Sequence, residues 1–247
     1  MNIMHKSLVS IEQHTFSDNR LFAALCQDSF LNLLPHLSAV DIKRGESLCG
    51  CLNHAQYVYF PTTCMISLIY DLEDGLSTEV AVIGNEGLVG SSLLMGGDYS
   101  YCRTIAQTSG GAFRIKLSVL QREFDKGTEL QQLLLLYIQA QITQISQTAV
   151  CNRHHSIEQQ FCRWLLLSLD RSSSTHLHMT QEQIAHNLGV RRESVTDAAR
   201  ALLAENLIQY ARGVISVLDR PRLEARVCEC YSVVKNEYDR LLPQRVR

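Results

Sequence analysis

The sequence of 247 residues has no run of about 18 consecutive apolar residues, a pattern that excludes a membrane-spanning helix. Its first residues, MNIMHKSLVSIEQHTF, lack the continuous apolar segment of a signal peptide, so we expect a cytoplasmic protein with no membrane partner. A large excess of one charge is also lacking, because 23 Lys+Arg and 25 Asp+Glu leave a net charge of −2. With 46% hydrophobic residues, the chain is expected to fold as one or two globular domains.

Cysteine is plentiful, but the sequence lacks the C-x₂-C run of iron–sulfur proteins. The nine cysteines are odd in number, and the chain is too long to need a disulfide framework. Cys49-x-Cys51 and Cys228-x-Cys230 are candidates for metal or redox chemistry. Residues i and i+2 of a strand or a helix point to different sides, however. We therefore predict no metal site and expect most of the thiols to be buried as small hydrophobic groups.

Glycine marks the first half of the chain, where ten of the 13 glycines fall between residues 45 and 111. Between them lie short runs of β-type residues that are separated by turn signals. This spacing predicts an antiparallel β-sandwich or barrel of many short strands, with a hairpin turn at residues 71–75. The predicted strands are 56–60, 65–70, 78–83, 103–107 and 112–115.

From residue 117 to 188 the chain has no proline and only one glycine, Gly127. A helix is predicted from 128 to about 152, with apolar residues at the spacing of a coiled-coil seam. Its length of roughly 37 Å favours a dimer interface over packing on its own domain. The predicted seam residues are Leu135, Ile138, Ile142, Ile145 and Ala149. The glutamines expected to leave the sides of the seam solvated are Gln139, Gln141, Gln144 and Gln147.

A second helix is predicted from residue 157 to about 170, followed by an all-helical unit that ends in a hairpin. The strongest motif lies here, in TQEQIAHNLGVRRESVTDAAR at 180–200. Thr180 and Gln183 have the spacing of a capping box at the start of a helix. Ala185 is small where two helices cross, and Gly189 supplies the turn before the next helix. This spacing is typical of a helix-turn-helix, and the run at 208–217 predicts a wing that turns at Arg212-Gly213.

Arginine dominates the basic residues of the second half of the chain. Residues 1–156 carry 10 Lys+Arg and 14 Asp+Glu, whereas residues 157–247 carry 13 and 11, and 12 of those 13 are arginine. Arginine can donate two hydrogen bonds to guanine, and glutamate can accept one from cytosine. The second helix of the motif is therefore expected to read the major groove. The predicted DNA-binding residues are Thr180, Gln181, Arg191, Arg192, Glu193, Thr196, Asp197, Arg200 and Arg212.

A glycine-rich β region, a long helix and a winged helix-turn-helix in this order resemble the CRP/FNR family of bacterial transcription regulators. The resemblance covers nearly the whole chain and is most specific at 180–217. It implies an α+β protein with an N-terminal antiparallel β-roll similar to a jelly roll (1–127), a dimerisation helix and hinge (128–155) and a C-terminal winged helix-turn-helix domain (156–247). The implied partners are palindromic double-stranded DNA, a second copy of the chain, RNA polymerase and a small-molecule effector.

The family resemblance also assigns roles within the recognition helix. In the family, an Arg-Glu pair of this helix reads base edges, and Arg192 and Glu193 occupy that place. The base-reading arginine that the family carries one turn later is Asp197 here. The half-site sequence of well-known members therefore cannot be carried over to this chain.

Members that bind cyclic nucleotides hold the ribose with a Gly-Glu pair and the cyclic phosphate with an Arg-Ser pair. The matching positions here are Gly90-Ser91 and the region of Ser100, and Arg103 is the nearest cation. A buried phosphate without an arginine would be unpaired, so we expect no cyclic AMP site of the usual kind. We assign Gly90, Ser91, Ser100 and Arg103 to a pocket for an unknown effector. The oxygen-sensing branch has a close N-terminal cysteine cluster, and the scattered cysteines here do not match it: Cys26, Cys49, Cys51 and Cys64.

Two alternatives to an effector-regulated protein stay open. The β-roll could be a scaffold that senses nothing, in a protein that binds DNA constitutively. The run His176-x-His178-x₃-Glu182-x₆-Gly189 half-matches the metal motif of cupin enzymes. A cupin needs these ligands on strands, whereas Glu182 and Gly189 lie in a helical pattern, so we do not expect an enzyme. His154-His155, at the end of the long helix, could titrate near neutral pH and couple to the hinge, but we expect a solvated helix end instead.

Overall fold

The computed structural model describes residues 15–49, 55–97, 99–172 and 174–242 of the chain. Residues 1–14, where no signal peptide is expected, and Cys51 of the Cys49-x-Cys51 candidate lie outside the described residues. Within the described ranges, no helix is both long enough and apolar enough to cross a membrane.

The first half of the described chain folds into two antiparallel sheets that face each other as a β-roll. One sheet has the strand order β1-β7-β3 and the other the order β2-β6-β4-β5. The strands are β1 (Ser38–Ile42), β2 (Ser47–Cys49), β3 (Tyr57–Pro61), β4 (Ile66–Asp71), β5 (Ser77–Ile83), β6 (Arg103–Ala106) and β7 (Gly110–Lys116). The predicted antiparallel sandwich is confirmed, and β3 to β7 lie within two residues of the predicted strands.

Strands β1 and β2 were not expected from the sequence pattern. Strand β1 is a sheet edge whose side chains are mostly exposed or half-buried, so it lacks the apolar alternation of a buried strand. Strand β2 has only three residues and shifts register against β6. Both elements are specified by pairing with a neighbouring strand rather than by their own side chains.

The predicted hairpin turn between β4 and β5 is confirmed. Gly75 adopts a φ of +85°, a conformation that glycine adopts without steric cost. The Leu72 backbone N–H donates to the Leu76 carbonyl oxygen over 2.7 Å and closes the loop.

Short N-terminal elements cover one end of the β-roll with aromatic side chains. They comprise 3₁₀ turns at Phe16–Asp18 and Leu34–His36, and helices α1 (Arg20–Ala24) and α2 (Gln27–Leu33). Phe22 stacks on Phe60 of β3 with ring centroids 4.4 Å apart, and Phe16 stacks on Phe113 of β7 at 4.3 Å. Aromatic pairs at these separations add to the stability gained from burial, so these elements form part of the roll's core.

The roll is followed by a 26-residue helix that matches the predicted dimerisation helix. Helices α3 (Ser91–Leu94) and α4 (Leu117–Phe124) precede α5 (Glu129–His154). One face of α5 packs on the roll, where the Tyr137 hydroxyl donates to the Leu88 carbonyl oxygen over 2.9 Å. On the other face Leu135, Ile142 and Ile145 are 48%, 51% and 38% exposed. Ala149 is exposed on the same face.

Two expectations about α5 are corrected. Ile138 is only 5% exposed and packs in this chain's own core, so it does not belong to the exposed seam. Gln141 and Gln144 are buried rather than solvated, because both amides are hydrogen-bonded to other elements. Gln144 donates to the Val82 carbonyl oxygen at 3.1 Å and accepts from Arg171 at 2.9 Å. Buried amides are stable only when such partners are present.

The C-terminal part combines a helix-turn-helix with a three-stranded sheet of order β8-β10-β9. Its elements are α6 (Ile157–Asp170), β8 (His176–His178), α7 (Gln181–Leu188), α8 (Arg192–Ala204), β9 (Ile208–Ala211), β10 (Val214–Val217), α9 (Arg220–Arg226) and α10 (Glu229–Leu241). The expectation of an all-helical unit that ends in the hairpin was wrong in two respects. The three-residue strand β8 exists through its pairing with β10, and two helices follow the wing.

A buried polar interface joins the β-roll to the C-terminal part. The guanidinium of Arg171, after α6, donates to Glu86 of the loop after β5, with Nε and Oε1 2.7 Å apart, and both side chains are 4% exposed. Nearby, Trp164 of α6 donates to Glu79 of β5 over 3.1 Å. Burial raises the pKa of Glu79 to about 7, despite the hydrogen bonds from Ser67 and Trp164 that lower it. Burial thus favours the protonated form of this carboxyl group.

Candidate nucleic-acid interface

Helices α7 and α8 form the predicted helix-turn-helix, and their local signals act as expected. The Thr180 hydroxyl accepts from the Gln183 backbone N–H, and the Gln183 side chain accepts from the Thr180 N–H, which makes a capping box. Gly189 ends α7 in a left-handed conformation with φ of +66°. Ala185 and Val195 are buried where the two helices cross. These residues set the angle at which α8 leaves the turn.

Helix α8 presents the predicted base-reading residues to solvent. Arg191 is its N-cap, and Arg192 and Glu193 occupy its first turn, all three exposed. Asp197 and Arg200 are exposed one and two turns further on, whereas Thr196 is half-buried. The predicted residues of this helix therefore share one largely exposed face that begins at its N-terminal end, and we call this face the α8 surface.

Side-chain contacts orient part of the α8 surface before any ligand binds. The Thr196 hydroxyl contacts the Gln181 side-chain oxygen at 2.7 Å, which links the start of α7 to α8. Arg200 and Asp197 are 3.3 Å apart, and Arg192 lies 3.9 Å from Glu182, all between strongly exposed groups. Exposed pairs of this kind contribute little to stability. The arginines can therefore exchange these partners for another acceptor at small cost.

The wing lies beside the same surface. Arg212 and Gly213 both adopt positive φ, of 50° and 76°, which is the geometry of a type I′ turn between β9 and β10. The Tyr210 hydroxyl donates to the Met179 carbonyl oxygen over 2.8 Å and fastens the hairpin to the start of α7. An open cleft of about 510 Å³ is lined by Thr180, Gln181, Arg192 and Arg212 among others. The structure thus brings together the predicted residues of α7, α8 and the wing.

Helix α7 also contacts the β-roll, which sequence reasoning missed. Ser77 Oγ lies 2.5 Å from His186 Nε2, and the Arg44 guanidinium donates to Gln183 at 2.7 Å. Gly189 sits so close to Thr78 that an added Cβ would lie 2.5 Å from the threonine hydroxyl. No sequence motif connects these positions, because the paired residues are more than 100 positions apart in the chain. The β4–β5 hairpin therefore holds α7 and with it the turn that leads to α8.

The predicted effector pocket is a small cavity inside the roll. Gly90, Ser91 and Ser100 line it, together with mainly apolar neighbours such as Tyr57 and Leu68. Its volume is about 40 Å³, enough for a few water molecules but not for a nucleotide. Arg103 was wrongly assigned to this pocket. Its guanidinium makes two 2.8 Å hydrogen bonds to Asp71 instead, because the two residues lie on neighbouring strands.

One residue of the cavity connects it to the long helix. Ser91 lies where the resemblance places a ribose-binding glutamate, and its buried hydroxyl donates to the side-chain oxygen of Gln141 in α5. Gln141 in turn donates to the Tyr137 hydroxyl at 3.4 Å. Hydrogen bonds therefore connect the cavity wall to the buried face of α5.

The residues that half-match a cupin metal motif do not come together as metal ligands within the described ranges. His176 and His178 lie on β8 and Glu182 on α7, and all three are exposed. The His176 ring lies 2.7 Å from the Ser216 hydroxyl. Within the part of the chain that the structure describes, a group of potential metal ligands does come together, but it lies elsewhere, at the end of α5.

Comparison with known proteins agrees with this geometry. Residues 159–226 match the model of the Crp-like helix-turn-helix domain. A crp/fnr-family regulator from Eubacterium rectale superposes with a TM-score of 0.66 at 16% identity, over 85% of this chain and 98% of that one. FixK2 from Bradyrhizobium japonicum gives 0.66 at 18%, over 78% and 98%. The c-di-GMP responsive regulator CLP from Xanthomonas campestris gives 0.61 at 15%, over 78% and 100%. No curated protein matches the sequence.

The fold and the site define a winged helix-turn-helix protein with an N-terminal β-roll. Within that class, the chain has the fold of the CRP/FNR transcriptional regulators and carries their Crp-like helix-turn-helix domain. The resemblance to this family that the sequence motifs predicted is confirmed.

Proposed function

We propose that this protein is a homodimeric, cytoplasmic transcriptional regulator that binds palindromic double-stranded DNA in a sequence-specific way. The observation that carries the proposal is the α8 surface, where Arg191, Arg192 and Glu193 are exposed together at the N-terminal end of the second helix of the motif. In docked helix-turn-helix proteins this end of the helix contacts base edges. Arginine and glutamate there can discriminate guanine and cytosine.

Phosphate contacts would come from the elements on either side of α8. Thr180 and Gln181 stand at the N-terminus of α7, where backbone N–H groups and the helix dipole favour anions. Arg212 stands at the tip of the wing. Arg200 lies further along α8, beside Asp197. Contacts of this kind position the protein on DNA without reading its sequence.

Dimerisation would use the exposed apolar face of α5. Leu135, Ile142, Ile145 and Ala149 share that face, and a second copy of the helix would cover them. The two-fold axis of such a dimer requires two half-sites about one helical turn apart, roughly 34 Å on DNA. An interaction of this protein with RNA polymerase is proposed from the family resemblance alone.

Regulation would act through the contacts between the roll and the helix-turn-helix. The hairpin β4–β5 holds α7 through Ser77 and Thr78, and the cavity wall reaches α5 through Ser91. A ligand with higher affinity for one arrangement of these elements shifts the population that is competent to bind DNA. The mostly apolar lining of the cavity suits a small uncharged effector.

Binding selection followed by sequencing tests the proposed readout. Arg192→Ala is expected to weaken binding by about 1–3 kcal/mol and to relax the preference at one position of each half-site. Asp197→Arg is expected to change the preferred sequence, because a carboxylate that repels phosphate is replaced by a donor. Gln181→Ala should weaken binding to all DNA sequences about equally, since it removes a contact with the DNA phosphate backbone.

Arg222→Ala is the matched control for this selection. Arg222 is an exposed arginine of α9 that pairs with Glu205 at the C-terminal end of α8, away from the N-terminal end that would read bases. Its removal should therefore leave the selected motif unchanged. One identical motif from the wild type, Arg192→Ala and Asp197→Arg would mean that α8 does not read bases.

Isothermal titration calorimetry tests the effector chemistry. Cyclic AMP is expected to bind no tighter than about millimolar, a free energy of about −4 kcal/mol. The cavity is too small for it, and no described residue that lines the cavity is charged. Arg103→Ala should leave this result unchanged, because Arg103 pairs with Asp71. A micromolar dissociation constant would overturn the expectation.

A constitutive DNA-binding protein with a scaffold roll is the second candidate. A cavity of this small volume is the observation that favours it. Thermal shift measurements against a panel of small apolar and uncharged compounds distinguish the two candidates. A compound that raises the melting temperature and changes operator affinity supports the regulated protein, and a uniformly flat response supports the scaffold.

A further inference from the structure

Four potential metal ligands converge where the long helix α5 ends. Cys151 and His155 lie one turn apart at the C-terminus of α5, and Cys228 and Cys230 lie at the N-terminus of α10. The three sulfur atoms and one imidazole nitrogen all lie within 4.8 Å of one another. No disulfide joins them, because the Cys151 and Cys228 sulfurs are 3.6 Å apart, well beyond the bonded distance of about 2.05 Å.

The spacing of these atoms is close to that of a tetrahedral zinc site. With Zn–S near 2.3 Å and Zn–N near 2.0 Å, tetrahedral angles place two sulfurs roughly 3.8 Å apart and a sulfur and a nitrogen roughly 3.5 Å apart. The observed distances are 3.6 Å from Cys151 Sγ to Cys228 Sγ and 3.6 Å from Cys230 Sγ to His155 Nδ1. The side chains need only small adjustments to bind an ion between them.

The surroundings of the cluster fit a structural metal. All three cysteines are buried, and they form a small cluster with Val227 packed against it. The outer ring nitrogen of His155, Nε2, lies 3.4 Å from a carboxylate oxygen of Glu229. A carboxylate on the second nitrogen of a ligating histidine fixes the tautomer and the ring orientation in zinc sites. Nδ1 is thereby left to face the three sulfurs.

The position of Cys228 removes the objection to Cys228-x-Cys230 as a ligand pair. In a regular helix or strand, side chains i and i+2 diverge. Cys228 is instead the N-cap of α10, with extended φ and ψ of −73° and 163°. The chain turns between the two residues, so both sulfurs come to the same side. His155 likewise lies half-buried in the cluster, and the expectation of a solvated helix end at His154-His155 was wrong for His155.

We propose that Cys151, His155, Cys228 and Cys230 form a Cys₃His site for Zn²⁺ that fastens the last helix to the end of the dimerisation helix. Four protein ligands complete the tetrahedron, which is typical of structural rather than catalytic zinc. The site joins α5 to α10 beside the 151–156 junction, where α5 is followed by α6. Zinc therefore fixes how the C-terminal helix lies against the hinge.

The test measures metal in the full-length protein, without DNA, so its outcome is independent of the proposed function. Protein purified under reducing conditions and dialysed is expected to hold about one zinc per protomer by elemental analysis. Replacement by Co²⁺ should give the intense visible absorption of tetrahedral cobalt and a thiolate-to-cobalt charge-transfer band. Cys228→Ser should lower the zinc content at least tenfold, and Glu229→Gln should weaken affinity by about 10- to 100-fold.

Two further variants keep the test decisive if Cys228→Ser folds poorly. Cys64→Ser, at a buried thiol of the roll that donates to the Gly111 carbonyl oxygen, should retain zinc. His155→Cys should also retain zinc and show a stronger charge-transfer band, since a fourth thiolate replaces the imidazole. Wild-type protein without zinc and without a thiolate–cobalt band would overturn the proposal. So would two missing thiols on titration of the denatured protein, which would indicate a Cys151–Cys228 disulfide.

Discussion

Replacing Arg171 by methionine is expected to lower the free energy of unfolding by about 3–5 kcal/mol. Arg171 is buried between the β-roll and the C-terminal part, where it donates to Glu86, to the Leu167 carbonyl oxygen and to Gln144. Its guanidinium also lies 5.1 Å from the ring centroid of Tyr238. Removing it leaves the Glu86 carboxylate buried without its cation, which costs far more than the loss of an exposed pair.

Urea denaturation followed by circular dichroism measures this effect, with Arg103→Met as the matched control. Arg103 also pairs with a carboxylate, through two 2.8 Å hydrogen bonds to Asp71, but this pair lies at the surface. Its loss should therefore cost no more than about 1 kcal/mol. The double variant Glu86→Gln/Arg171→Met should be more stable than Arg171→Met alone, because it removes the uncompensated charge. Equal losses for Arg171→Met and Arg103→Met would show that the buried pair does not hold the two parts together.

Replacing Ile142 by aspartate is expected to dissociate the dimer. Ile142 is 51% exposed at the centre of the apolar face of α5, and a dimer would bury one new carboxylate from each copy in the seam. A cost of about 3 kcal/mol for each of these two unpaired buried charges, about 6 kcal/mol per dimer, raises the dimer dissociation constant by roughly ten-thousandfold. Analytical ultracentrifugation measures the constant, and affinity for a palindromic operator should fall with it.

The control for this variant is Val233→Asp. Val233 is an apolar residue of α10 that is exposed to a similar extent but lies outside the α5 face, so the dimer should persist. Circular dichroism would verify that both variants keep their helices. A dimer that survives Ile142→Asp unchanged would show that this face of α5 is not the interface.

Local signals in the sequence determined the helix-turn-helix and most of the roll. A capping box at Thr180, a left-handed Gly189 and the turn at Arg212-Gly213 each act within a few residues. Their effect therefore does not depend on distant parts of the chain, and the corresponding elements formed where the pattern predicted them. The same holds for the hairpin at Gly75 and for the bounds of α5.

The roles of buried polar residues could not be predicted from local signals in the sequence. In the sequence, Gln144 cannot be distinguished from an exposed glutamine. Only its hydrogen bonds with Val82 and Arg171 show that it is an interior residue. Arg103 was the nearest cation in sequence to the predicted pocket, yet its guanidinium donates to Asp71 on the neighbouring strand instead. A hydrogen-bond partner is chosen by distance in space, which a periodic pattern along the chain does not encode.

The sequence by itself thus determined the order of the β-roll, the long helix and the winged helix-turn-helix, the exposed face of α8 and most of the apolar stripe on α5, because each follows from local conformation and periodicity. Only the tertiary structure decided that Glu86 meets Arg171, that His186 meets Ser77, and that four metal ligands converge at the end of α5. These contacts join residues that lie about 75 to 110 positions apart. They depend on how the roll and the C-terminal helices pack together, and packing is a property of the whole fold.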